Sequence, residues 1–233
     1  MGSEMCIRDR DGADLVILPG TKNTRRDLRW LRESGFAEQI EELAGRGLPV
    51  LGICGGYQML GRLVSDPLGV EGDAGEEEGL GLLPITTSFR EGKITLRSKV
   101  RSAGEGTHLL CPDEGRSCVV PAYEIHMGEV ILDADARPLF EHLGDGRKEG
   151  TCRGSVAGTL LHGLLEVAAV RRAMLNRLRI AKSLTPVEGG ADLDAARDAE
   201  AELELDRLAE AVAGGLDMNR IDRLLDGPWP ISR

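Results

Sequence analysis

The sequence predicts an α/β protein with a mostly parallel central sheet, flanked by helices and extended by added antiparallel strands. Two observations point to it. Near the N-terminus, the apolar run Leu15 to Leu18, a helical stretch and the apolar "PVLGI" succeed one another as a βαβ unit. A right-handed crossover sets its two strands parallel, with their C-terminal ends on one edge. From residue 84 to 132, β-type runs alternate with glycine-containing turns, the pattern of antiparallel strands.

Taken in order, residues 1 to 10 share no periodicity with the rest of the chain and read as a non-native or disordered leader. "ADLVILPG" is a short buried strand stopped by Pro19 and Gly20. The next helix is marked by Leu28, Leu31, Ile40 and Leu43 at helical spacing, by Asn23 or Thr24 as N-cap, and by Gly45 and Gly47 at its end. After "PVLGI", residues 65 to 80 turn polar and glycine-rich and read as a surface loop with a solvated acidic cluster. The antiparallel runs are "ITTSF", "KITLRSKV" and "SCVVPAYEIHMGEVIL". "SVAGTLLHGLLE" carries a strand ending near Leu161, and "VAAVRRAMLNRLRIAKSL" is an amphipathic helix. The expected organisation is a domain over 11–182, then a linker over 183–195 and C-terminal helices up to residue 233.

Composition narrows the function classes. A chain of 233 residues with 41% hydrophobic content can build a sizeable core. Its net charge of -10 disfavours nucleic acid and anionic membranes, because phosphates are repelled over most of such a surface. No apolar run approaches the roughly 20 residues of a membrane span, and the N-terminus has no signal-peptide core, so the expected location is the cytoplasm. The five cysteines, Cys6, Cys54, Cys111, Cys118 and Cys152, form no CxxC pair and read as free thiols without a metal site.

One cysteine stands apart. In "PVLGICGGYQMLG" a residue leaving a strand and entering a helix at once must adopt a strained backbone, and its neighbours must be small. Gly52, Gly55 and Gly56 flank Cys54 in that manner, which presents the thiol at the sheet edge as a nucleophile. The helix N-terminus is expected to favour the thiolate, and the Gly55 amide to face a developing oxyanion. A thiol nucleophile needs a base, and His162 follows an apolar strand and precedes Gly163, so it emerges on the same edge. His126 lies in a strand-like segment and could face a pocket; His108 and His142 read as surface residues.

These residues resemble the class I (triad-type) glutamine amidotransferases, in the branch found in cobyric acid synthases. "DLVILPGTKNT" looks like its oxyanion-loop strand, "GICGGYQMLG" like its nucleophile elbow, "VAGTLLHG" like its histidine strand, and "YEIHMG" separates it from sister branches. The likeness runs over about residues 11 to 180. It implies that Cys54 attacks glutamine to form a glutamyl thioester while His162 moves protons. It further implies oxyanion donors at Gly55 and near Gly20, and a glutamine-holding side chain at Gln58. The ammonia would serve ATP- and Mg-dependent amidation of the b, d, e and g carboxylates of the corrinoid adenosylcobyrinic a,c-diamide, in cobalamin biosynthesis.

Two departures from the wider family are visible. The orienting glutamate two residues after the histidine is replaced by Leu164, which leaves Glu166, Glu124 or a backbone carbonyl as candidates for that task. No G-x-x-x-x-G-K-[ST] phosphate loop is present, so the expectation is a C-terminal part whose ATP-dependent synthetase domain and first strand lie upstream of Asp11. An open sheet edge would result there. Two alternatives stay open: a stand-alone glutaminase subunit of the peptidoglycan-amidation type, and a catalytically inactive docking fragment.

Overall fold

The computed structural model describes residues 12–103, 109–111, 118–188 and 191–226. Residues 1–11, Cys6 among them, and His108 lie outside the described residues. The parallel core forms where the apolar runs predict it. β1 (Val16–Leu18) pairs with β2 (Val50–Ile53), and β2 with β9 (Val156–Thr159), all parallel. Successive residues of β2 serve opposite faces: Val50 packs in one apolar cluster with Leu28, Leu31 and Ile40, Leu51 in a second with Leu161, Val170 and Met174. Two-sided burial is why β2 and β9 read as unbroken apolar runs. β1, expected to be a buried strand, lies at the end of the strand order and leaves Ile17 41% exposed, so its apolar run is covered on one face only.

The first face is covered by α1 (Thr24–Glu33) and α2 (Phe36–Gly45), the second by α4 (Ala168–Ala181). Asn23 is the N-cap of α1, its side chain accepting the Arg26 amide at 2.9 Å. The single helix expected before β2 is broken in two, because Gly35 takes φ 75°. That left-handed conformation favours a residue without Cβ and redirects the chain.

The sheet is completed by β3 (Leu63–Asp66), β4 (Gly75–Glu78), β5 (Ile85–Ser102), β6 (Val119–Leu132), β7 (Arg137–His142), β8 (Lys148–Arg153) and β10 (Leu161–His162). It is mixed, with strand order β1-β2-β9-β8-β7-β5-β3-β4 and β6 bridging β5 and β10. Antiparallel strands are thus added to a parallel core, as expected. "ITTSF" and "KITLRSKV" are one strand, β5, interrupted by an irregularity between Ser88 and Lys93 instead of a turn.

Part of the expected 65–80 loop is also strand. β4 pairs with β3, and its Glu77 meets Arg25 at 3.8 Å and Arg29 at 3.3 Å. An edge strand needs no apolar face when its partners are backbone and ion pairs, so its composition hides it. The hairpin of β7 and β8 lies between β9 and β5. The strand expected to end near Leu161 instead parts from β2 and β8 after Thr159 and re-pairs within the same sheet as β10 with β6.

The chain divides into two compact units, Met1–Glu188 and Gly189–Arg233. The second contains α5 (Ala191–Gly215) and α6 (Met218–Asp226), so helix begins inside the stretch expected to be linker. Among the described residues no helix is long and apolar enough to cross a membrane.

Candidate active site

Cys54 alone turns the chain from β2 into α3 (Gly55–Met59), at φ 53° and ψ -113°. Such a conformation costs about 1–3 kcal/mol in a residue with a Cβ. Neighbouring bonds hold it: the Cys54 amide donates to Thr159 O at 2.8 Å, and Cys54 O accepts from the Gln58 amide at 3.0 Å. The glycines beside it are there for space. A Cβ on Gly52 would lie 2.7 Å from Tyr57 Cα, on Gly55 2.3 Å from Thr21 Cγ2, and on Gly56 2.0 Å from Leu18 O. None of the three has positive φ, so the cysteine carries the strain itself.

Cys54 and His162 meet around Gly20. A Cβ built on Gly20 would stand 3.5 Å from Cys54 Cβ and 3.7 Å from His162 Cε1. The His162 Nε2 atom is buried and has no hydrogen-bond partner among the described residues, and Cys54 Sγ lies 3.9 Å from Ile125 O. Burial pushes the Cys54 thiol up against the opposing effect of the Gly55 amide, and the Glu71 charge pushes it further. Burial and the neighbouring His126 push the imidazole of His162 down. Both shifts favour a thiol beside a neutral imidazole over the thiolate expected from the helix terminus. The five-residue α3 offers too little field to outweigh desolvation.

Among the described residues, neither Glu124 nor Glu166 nor a backbone carbonyl is hydrogen-bonded to His162. Leu164 is a core residue at 3% exposure, and Glu124 is engaged by His126 and Arg147. Glu166 sits in the turn Leu164–Glu166. The imidazole instead stacks on Tyr123, with ring centroids 5.2 Å apart and planes 13° from parallel. The register makes this contact, since His162 on β10 lies opposite Tyr123 on β6. "YEIHMG" contained the answer, but strand pairing was needed to reveal which letter faced the histidine.

Gln58 is 2% exposed and bonded at both ends. Its Nε2 donates to Met127 O at 3.3 Å, and the Thr24 hydroxyl stands 3.2 Å from both Gln58 Oε1 and Glu71 Oε1. Glu71, whose carboxylate also accepts the Thr24 amide at 2.7 Å, is a site residue that composition assigned to a loop. Its own pKa is raised by burial against the Thr24 bonds. The signal for it was Asp66, which folds the loop back by accepting the Val70 and Glu71 amides.

Behind His162 lies a buried polar cluster. Glu124, at 1% exposure, faces His126 Nε2 at 3.2 Å, His142 Nε2 at 3.4 Å and the Arg147 guanidinium. Burial would raise its pKa, but the bonds from His126 and Arg147 and the charges of Arg147 and His142 hold it down at about 2. His126 is thus anchored inward. His142, expected at the surface, is buried at 3% exposure because β7 runs inside the sheet and Ser98 Oγ reaches its Nδ1 at 2.5 Å. Among the described residues no group of three or more His, Cys, Asp and Glu side chains could hold a metal ion, and Cys54, Cys111, Cys118 and Cys152 are free thiols.

The family of CobB/CobQ-like glutamine amidotransferase domains matches residues 4–170. The chain belongs to this family. It is a glutamine amidotransferase domain. It is 42% identical over 232 residues to the cobyric acid synthase of Moorella thermoacetica, taking in 96% of this chain and 43% of that protein. With the probable cobyric acid synthase of Methanothermobacter thermautotrophicus it shares 39% identity over 224 residues, 93% of this chain and 43% of the relative. The cobyric acid synthase of Photorhabdus laumondii is 41% identical over 220 residues, 90% of this chain and 41% of the relative. The amidotransferase chain spans less than half the length of these relatives. Among solved structures, PurLQS from Thermotoga maritima aligns at a TM-score of 0.55 and 19% identity, over 72% of this chain and 81% of that one, a likeness of fold.

Proposed function

We propose that this chain is the glutaminase part of an adenosylcobyric acid synthase, with Cys54 as nucleophile and His162 as its proton carrier. The observation that carries it is the buried, unpartnered Nε2 of His162 converging with a strained Cys54 around Gly20. The thiol proton passes to Nε2 as Sγ attacks the side-chain amide carbon of glutamine. The amide oxygen becomes an oxyanion, for which the Gly55 amide and the backbone near Gly20 are the donors. When the intermediate collapses, the C–N bond breaks and His162 returns its proton to the departing nitrogen, giving ammonia and a glutamyl thioester. Water then attacks the thioester, its proton is shuttled by His162 to the thiol, and glutamate leaves.

Gln58 supports glutamine in this reading as a buried brace beside Cys54, held between Thr24 and Met127. Residues 11–182 form the amidotransferase domain. The ammonia is consumed, in this reading, by a synthetase domain that uses ATP and Mg to amidate the b, d, e and g carboxylates of adenosylcobyrinic a,c-diamide in the cytoplasm. The names and identities of the relatives support this branch over the peptidoglycan-type glutaminase. Ammonia release from glutamine is the test. Cys54→Ala should abolish it, and His162→Ala should lower kcat by about 10²- to 10⁴-fold; full activity in either folded variant overturns the assignment.

A further inference from the structure

We propose that Glu149 on β8 is a positioning residue that sets Cys54 and His162 in register with one another, a role that rests on the glutaminase reading above. The geometry is a corner. β9 pairs with β8 through Thr151 and Gly158, and two residues later the chain must abandon that ladder to reach β6. The backbone amide of Leu160 is thereby left without a strand partner. Glu149 Oε1 takes its place, accepting the Leu160 amide at 2.6 Å, while Oε2 accepts the Thr159 hydroxyl at 2.6 Å.

Thr159 then works in both directions along the site. Its carbonyl accepts the Cys54 amide at 2.8 Å, fixing the start of the elbow. Its hydroxyl oxygen accepts the Leu161 amide at 3.1 Å, fixing the two-residue strand that ends in His162. One buried carboxylate therefore clamps the peptide from which nucleophile and base are both hung. The surroundings of Glu149 suit it for this and not for solvent. It is buried, and among the described residues Tyr57, Glu124 and Arg147 are the ionisable groups close enough to act on it. A carboxylate is the fitting group, because in its ionised form it only accepts, and both neighbours at the corner donate.

Misplacing a reacting group by about 1 Å can cost on the order of 10²-fold in rate. Glu149→Gln keeps the shape and an acceptor for Leu160 but turns a donor toward the Thr159 hydroxyl. It should lower kcat for glutamine hydrolysis by about tenfold or more, with KM within about threefold. Thr159→Val should act in the same direction, and Thr159→Ser should restore near-normal kcat. A second readout does not need glutamine turnover: the rate at which iodoacetamide alkylates Cys54, measured by peptide mass spectrometry. That rate should fall in Glu149→Gln toward the value in His162→Ala.

Wild-type kcat and wild-type alkylation in folded Glu149→Gln, or in folded Thr159→Val, overturn the proposal, even if thermal stability has dropped. If the unmodified chain alkylates normally but hydrolyses no glutamine, the glutaminase reading fails, and the alkylation comparison still decides whether Glu149 positions the pair.

Discussion

Cys54 and His162 are both biased toward their neutral forms, and the reason lies in what surrounds each of them. Desolvation disfavours a charge on either, and one ionisable neighbour of each reinforces it: the Glu71 carboxylate opposes a thiolate, and His126 opposes an imidazolium. In the proposed mechanism an ion pair forms only as the proton moves during attack, with the amide of Gly55 as a donor to the new charge. Glu71 gives a direct check. Glu71→Gln keeps an acceptor for Thr24 and removes the negative charge, so the pH at which Cys54 becomes reactive should move down and alkylation at about pH 7.5 should quicken. An unchanged or upward-shifted alkylation profile would show that the Glu71 charge does not reach the thiol.

At the level of elements, β6 completes the site more than any other strand. Tyr123 stacks on His162, Ile125 O faces the thiol, Met127 O holds Gln58, and the alternate residues Glu124 and His126 anchor the strand from the buried side. A ring stack is worth about 0.5–1.5 kcal/mol. Tyr123→Ala should thus reduce kcat by roughly 2- to 10-fold with little change in KM, while Tyr123→Phe, which keeps the ring, should stay close to wild type. Equal kcat in all three proteins would mean that something else orients the imidazole. The elbow and the histidine strand were legible in the sequence because sterics and burial write themselves locally, as glycines around Cys54 and as an apolar run before His162. The rest was not, since it depends on pairing between distant segments. "RPLFEH" and "KEGTCR" look like surface yet form interior strands, their charged residues satisfied by Glu124, Ser98 and Thr159 from elsewhere in the chain. The exchange of β8 for β6 at Thr159 leaves no periodic trace, so neither Glu149 nor Tyr123 could be singled out in advance.

For the whole molecule, the same buried carboxylates make stability depend on pH in opposite senses. Glu124 is held at about 2, below its ordinary 4.5, so its contribution is complete above pH 4.5 and is lost as pH falls toward 2. Glu149 is pushed up to about 7 by burial, against the bonds from Thr159 and Leu160. For an acid this means that the folded chain keeps a proton which the unfolded chain has already released, so stability declines as pH rises from 4.5 to 7. His142 and His162, whose pKa values are lowered, work the other way and gain stability as pH rises up to 6.5. The Glu149 contribution is isolated by difference. At about 1.4 kcal/mol per pH unit, its interval corresponds to about 3 kcal/mol at most, part of which the glutamine replacement loses in weaker bonds. In urea unfolding of wild type and Glu149→Gln at about pH 5 and about pH 8, the variant should gain on the wild type by roughly 1–3 kcal/mol between the two pH values. That gain should appear in the same variant whose turnover has fallen, because the ionised carboxylate that clamps the corner is also the one that burial disfavours. A difference in stability that stays constant across that range would mean that Glu149 does not titrate differently in the folded and unfolded chains.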